Sequence, residues 1–155
     1  MGMQLLEIKT TLQIAKPCPE VFEAIVNPEK MSNYFISKSS GIMEAGKHLI
    51  WQFHELESDF SIRVDNIEVD KYISFYWVID DIEQLVEINI ISVAGNCTIV
   101  KVTEKSRENN EAGINWLKGN TEGWANFLAC LKAYLEYGIN LRKGAFDFLK
   151  VKLNK

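Results

Sequence analysis

From Leu6 to Ile14 apolar and polar residues alternate, with Leu6, Ile8, Thr10, Leu12 and Ile14 on one face and Glu7, Lys9, Thr11 and Gln13 on the other. A period of two predicts a half-buried strand. Lys16-Pro17-Cys18-Pro19 breaks it, and Pro19 suits the first position of a helix. Val21, Phe22, Ile25 and Val26 form that helix's apolar face. Asn27-Pro28 ends it and starts a second short helix that turns Met31, Tyr34 and Phe35 inward. Alternating runs follow. Glu44-Ala45-Gly46-Lys47 reads as a hairpin turn ahead of Leu49, Trp51 and Phe53. Phe60, Ile62 and Val64 share the next face. The phase slips at Asp65-Asn66, where Ile67 and Val69 continue on odd numbers, which predicts a bulge. Ile73, Phe75, Trp77 and Ile79 run up to an Asp80-Asp81 turn. Val86, Ile88 and Ile90 are separated by Ala94-Gly95-Asn96 from Thr98, Val100 and Val102. A polar stretch, Lys105 to Glu111, leads to Trp116.

The pattern then changes period. Between Thr121 and Gly138, Trp124, Phe127, Leu128, Leu131, Tyr134 and Leu135 fall within an arc of about 120° at 100° per residue. Lys132, Glu136 and Asn126 lie outside it. This is a helix with one buried face, about 27 Å long, and such a helix draws its stability from the surface it lies on. The strands supply that surface. Their short connections favour antiparallel neighbours and a meander. A doubly wound α/β fold would need helices alternating with strands, and a lipocalin-like barrel would not place a helix pair after its first strand. The order fits an α+β helix-grip fold: a curved antiparallel sheet of about seven strands around a long C-terminal helix, with two short helices after strand one.

Length and charge narrow the function. With 155 residues the chain reads as one domain able to bury a real core. Its formal charge of −4 argues against duplex nucleic acid as a partner. No window approaches the length of apolar sequence a membrane span needs, and MGMQLL carries neither a signal-peptide core nor a myristoylation motif. Cys18, Cys97 and Cys130 are odd in number and far apart, which suggests packing residues in a reducing compartment. A cytoplasmic protein is expected.

Chemistry is sparse. His48 and His54 are six residues apart on one predicted strand, hence about 20 Å apart, too far to share a metal. No metal or cofactor is expected. Glu55, Glu57 and Asp59, and again Asp80, Asp81 and Glu83, form acidic clusters at turns, where carboxylates are normally solvated. Arg63, Glu87 and Asn89 are out of phase with the inward residues and fall on the outer sheet face. No cysteine has the histidine partner of a nucleophile, and Gly41, Gly46 and Gly95 are isolated turn glycines, so no catalytic residue is assigned. What remains is aromatic. Tyr34 and Phe35 from the helix pair join Trp51, Phe53, Ile62, Phe75 and Trp77 from the strands. Trp116, Trp124, Phe127, Leu128 and Leu131 come from the closing helix and its approach. Either these residues fill the core, or part of the set lines a ligand cavity with the Ile36–Met43 loop and Trp116 at its mouth. After Gly138, Phe146, Phe148 and Leu149 are apolar enough to pack on their own domain or on a second copy.

Pro19 to Ile25, then Asn27 to Met31 with Tyr34-Phe35, resembles the opening of proteins similar to the activator of heat-shock protein 90 ATPase, within the START-related and birch-pollen-allergen-like superfamily. Gly123-Trp124 with Leu128, Leu131 and Leu135 is similar to that family's closing helix. Cys18 stands where such sequences more often carry a serine-like cap. The resemblance implies a single START-like domain over residues 1–155, with a core of about 5–138 and an extension over 139–155. It implies a cavity between sheet and helix for a small hydrophobic or amphipathic molecule. Two alternatives stay open: a cyclase or dehydratase-type enzyme using polar cavity residues, and a chaperone-associated ATPase activator homologue. The activators proper carry a further N-terminal domain, for which 155 residues leave no room. A chaperone and a homodimer through the C-terminal tail are thus the further partners considered.

Overall fold

The fold is known from a computed structural model, which describes residues 4–150. Strand β1 (Leu5–Ile14) is followed by helices α1 (Cys18–Val26) and α2 (Pro28–Met31). Six strands come next: β2 (Lys38–Ser39), β3 (His48–Gln52), β4 (Phe60–Glu68), β5 (Tyr72–Ile79), β6 (Ile82–Val93) and β7 (Cys97–Glu108). Helix α3 (Glu111–Tyr137) and a single turn, Asp147–Leu149, complete the elements among the described residues. The sheet order is β1-β7-β6-β5-β4-β3-β2, antiparallel throughout. The helix pair carries the chain from β1 at one edge to β2 at the other, and the meander returns it to β1. This is the helix-grip arrangement.

The turn chemistry acts where the pattern placed it. Asp80 and Asp81 both take positive φ, 53° and 62°, the two-residue loop whose twist matches a hairpin. Gly95 and Asn96 also take positive φ, 81° and 58°, in the three-residue turn between β6 and β7. The register of β4 against β5 shifts between Val64 and Asn66, the predicted bulge. Beyond it Ile67 is half-buried, but β4 ends at Glu68 and Val69 is 70% exposed in the turn, not on the inward face. Pro17, not Cys18, is the residue before α1, and it offers no side-chain cap. Asn27 caps α2, its side chain accepting from the Glu29 N–H at 3.0 Å.

Helix α3 departs most from the periodicity reading. It starts at Glu111 rather than Thr121 and runs for 27 residues. The Asn110 side chain accepts from the Gly113 N–H at 2.8 Å and closes its first turn. Gly138, at φ 65°, ends it, with its N–H and that of Ile139 bonded to the carbonyls of Tyr134 and Ala133. Gly113 is required by contact: a Cβ there would lie 1.9 Å from the Glu108 carbonyl oxygen. Strand β7 likewise runs on to Glu108 through part of the stretch read as a polar connection. Its pairing with β1 skips Ser106 between Lys105 and Arg107. That extra residue moves the inward face from even to odd positions, so Glu104 and Arg107 both point into the molecule.

Candidate functional site: two clefts divided by an ion pair

The core between sheet and helix is aromatic. Phe35, delivered by the turn after α2, meets Phe53, Trp124 and Phe127 with ring centroids 5.1, 5.8 and 4.8 Å away. Trp77 on β5 lies 5.4 Å from Trp124 on α3. Both indole N–H groups donate to one residue. Glu104 on β7 is 0% exposed; its Oε2 accepts from Trp77 Nε1 at 3.0 Å. Its Oε1 accepts from Trp124 Nε1 at 2.7 Å and Asn120 Nδ2 at 3.1 Å. An ionised carboxylate is acceptor-only, and all three of these groups are donors. Glu104 thus ties β5, β7 and α3 together from behind the tryptophans. The even phase of Thr98, Val100 and Val102, carried one step further, points to this residue; ending the strand at Val102 concealed it.

Two clefts open beside this aromatic wall. One, of about 260 Å³, lies between α3, the β3–β4 connection and the end of β5, with Phe53, Phe60, Trp77 and Trp124 along its apolar side. Gly119 and Gly123, one helical turn apart, form its α3 edge, and a Cβ at either would meet nothing within 4 Å. The other cleft, of about 430 Å³, is more polar and lies under the segment after α3, touching Tyr34, Ile36, His54, Lys143 and Lys150. Phe35, Glu55, Arg142 and Phe146 are common to both. Glu55 and Arg142 form the dividing wall as an ion pair of 2.5 Å, with side chains 8% and 14% exposed. The Arg142 guanidinium also sits over the rings of Phe35, Phe53 and Phe146, at 5.4, 5.6 and 4.5 Å.

The twelve residues singled out by pattern divide by place. Phe35, Phe53, Trp77 and Trp124 line the smaller cleft, and Tyr34 with Phe35 lines the larger. Trp51, Ile62, Phe75, Phe127, Leu128 and Leu131 are buried in the packed core and reach neither. Trp116 is also buried away from both, beneath the Arg107 guanidinium at 5.3 Å, with no hydrogen-bond partner for its Nε1 among the described residues. Of the Ile36–Met43 loop only Ile36 reaches a cleft, while Met43 is buried with its N–H on the Val26 carbonyl. The mouth is formed instead by the β3–β4 connection and the chain after Gly138.

The acidic clusters also divide. Glu57, Asp59, Asp80, Asp81 and Glu83 are exposed, as their turn positions suggest, but Glu55 is withdrawn from water by Arg142. Asp80 lies 3.6 Å from Arg107, whose Nε donates to Gln84 Oε1 at 2.6 Å and whose Nη2 donates to the Ile79 carbonyl. Arg63 and Glu87 lie on the outer face: Arg63 pairs with Glu83 at 3.1 Å, and Glu87 accepts from the Tyr72 hydroxyl at 2.6 Å. His48 and His54 are exposed, and His54 lies beyond the end of β3. Burial, with Tyr134 beside it, pushes the Tyr34 phenol well above its ordinary pKa, and its O–H donates to the Ala24 carbonyl at 2.8 Å. Burial likewise raises the Cys130 thiol, against a smaller opposite pull from Arg142. Both groups are therefore neutral, as packing residues would be. The tail docks through Arg142 and half-buried Phe146, while Phe148 and Leu149 stay 57% and 52% exposed. Residues 151–155 lie outside the described residues.

An antiparallel sheet gripping one long helix, with aromatic clefts beside that helix, defines a helix-grip domain. More narrowly, residues 15–136 match the family model described as activator of Hsp90 ATPase homolog 1-like protein, and the chain belongs to that family. Among solved structures it is similar to protein SSP2350 from Staphylococcus saprophyticus, with 32% identity, a TM-score of 0.78, and 88% of this chain and 96% of that one covered. It also resembles DynU16, from the dynemicin biosynthetic locus, at 23% identity and a TM-score of 0.77, covering 86% of this chain and 48% of that one. The Aha1 dimer from Colwellia psychrerythraea shares the fold at 17% identity, with a TM-score of 0.74 and 86% and 98% covered. No curated protein matches the sequence. No helix among the described residues is long and apolar enough to cross a membrane.

Proposed function

We propose that this chain is a binding module for a small apolar or amphipathic molecule, held in the cleft of about 260 Å³ between α3 and the β3–β5 side of the sheet. One observation carries the reading: Phe53, Phe60, Trp77 and Trp124 line a cleft whose α3 edge holds two glycines, Gly119 and Gly123, with nothing within 4 Å of where a Cβ would stand. A chain selected only for packing would fill that edge, since Gly inside a helix costs about 1 kcal/mol relative to Ala. The volume falls just below the usual range of ligand pockets, about 300–1,000 Å³, so the molecule is small or only its apolar end enters. Trp51, Phe75 and Phe127 act from behind, fixing the rings that touch it. The three free thiols fit a reducing, cytoplasmic setting.

The test fills the cleft without touching the core. In the parent, medium-chain alcohols or small aromatic alcohols should raise the melting temperature and perturb tryptophan fluorescence. Saturation a hundredfold above Kd would add about 2.7 kcal/mol. Gly123→Leu should remove both responses while leaving stability equal or higher. Leu131→Trp is the contrast: Leu131 is wholly buried and lines neither cleft, so this variant should lose about 1–3 kcal/mol by overpacking. If the parent shows no shift with either alcohol class, the binding reading is wrong.

A further inference from the structure

Arg142 is held as a bound ligand would be. Its guanidinium leaves the strap after α3 and enters a corner built by other parts of the chain: the rings of Phe35 and Phe53 and the carboxylate of Glu55. Aromatic faces and a desolvated carboxylate are the two groups that recognise an organic cation. Only the third ring, Phe146, belongs to the strap itself.

The strap is otherwise loosely tied. Ile139, Leu141, Phe148 and Leu149 are each more than half exposed. Glycines at positive φ stand on both sides of Arg142, Gly138 at 65° and Gly144 at 75°, where backbone rotation meets least resistance. The other cations of the larger cleft, Lys143 and Lys150, lie on the same strap and leave with it. What stays behind is Phe35, Phe53 and the Glu55 carboxylate, adjoining the apolar cleft.

We propose that the corner formed by Phe35, Phe53 and Glu55 is a binding site for a guanidinium or alkylammonium group. In this structure the chain's own Arg142 occupies it as a tethered competitor. A ligand with a cationic head and a short apolar tail displaces the strap, seats its head at Glu55 and lays its tail beside Trp77 and Trp124. The placement of the tail rests on the cleft reading above; the head site does not. Removing the competitor raises the competent fraction of sites and tightens the apparent Kd in proportion.

The test compares butylguanidinium, ethylguanidinium and neutral butanol on the full chain by calorimetry and thermal shift. Arg142→Met keeps an unbranched side chain against the rings but removes the charge. It should bind both guanidinium probes at least about tenfold more tightly than the parent, with butanol affinity little changed. Adding Glu55→Gln to that variant should abolish the gain. As an independent reading on the parent, titration with butylguanidinium should shift the Arg142 Nε–H resonance toward that of an exposed arginine. That measurement holds even if Arg142→Met folds poorly. Equal guanidinium affinities in parent and variant, or an unmoved Arg142 resonance at saturation, would overturn the proposal. Butanol binding without a guanidinium gain would sink the head site and spare the cleft. Ethylguanidinium binding without butanol binding would do the reverse.

Discussion

Replacing Glu104 by Gln should be among the most damaging isosteric changes in this protein. The substitution keeps the shape but turns one acceptor oxygen into an NH2 donor. If the amide nitrogen replaces Oε2, it faces the Trp77 N–H at 3.0 Å; if it replaces Oε1, it faces both Trp124 at 2.7 Å and Asn120 at 3.1 Å. The first orientation loses less and should prevail. One bond to a charged group, about 1.5–3 kcal/mol, is then lost, and a buried indole N–H is left stranded at about 1–3 kcal/mol, two costs that partly overlap. The remaining two bonds lose their charge, while the relief of burying a neutral group works the other way. The net is about 2–4 kcal/mol, or about 4–16 °C in melting temperature for a chain of this size. Urea and thermal unfolding should be followed by far-UV circular dichroism, because the indoles themselves are perturbed. In a double-mutant cycle, Trp77→Phe removes the stranded N–H and keeps an aromatic ring. It should cost at least about 1 kcal/mol less in the Glu104→Gln background than in the parent. A Glu104→Gln melting temperature within about 1 °C of the parent would refute the reasoning, because a carboxylate bridging both indoles could not then be what holds α3 to β5.

Gly113→Ala should cost at least about 1–3 kcal/mol by overpacking, despite alanine's better helix propensity, because the new methyl meets the Glu108 carbonyl oxygen at 1.9 Å; a neutral or stabilised variant would show that β7 and α3 approach less closely. Glu136 gives a pH signature: the Lys132 ammonium and then the Ala15 N–H hold its carboxyl below the ordinary value of 4.5. A carboxyl with a depressed folded pKa contributes stability above the unfolded value and loses it as pH falls through the folded one. Glu136→Gln should therefore melt below the parent at neutral pH and converge with it in strong acid, and a gap that persisted in acid would assign its effect to packing.

Much of the fold was legible because local rules and tertiary demands agree. Away from the bulges the inward apolar residues follow the period of two, and the turns at Asp80-Asp81 and Gly95-Asn96 carry the residue types that tolerate positive φ. The bulge at Asp65 appears as a slip in phase. The first half of α3 was hidden because Gly113, Gly119 and Gly123 lower its local helix preference. Its start is set instead by the Asn110 cap and the close approach of Glu108.

The site was legible only as a stock of aromatics. Which of them line a cleft depends on where α3 lies over the sheet, and no periodicity along one element contains that distance. Glu104 and Arg107 were concealed in turn by an early strand end and by the extra residue at Ser106. Arg142 meets Glu55 across 87 positions of sequence. No local pattern links two charges so far apart; only the return of the chain over its own aromatic wall takes both out of water together.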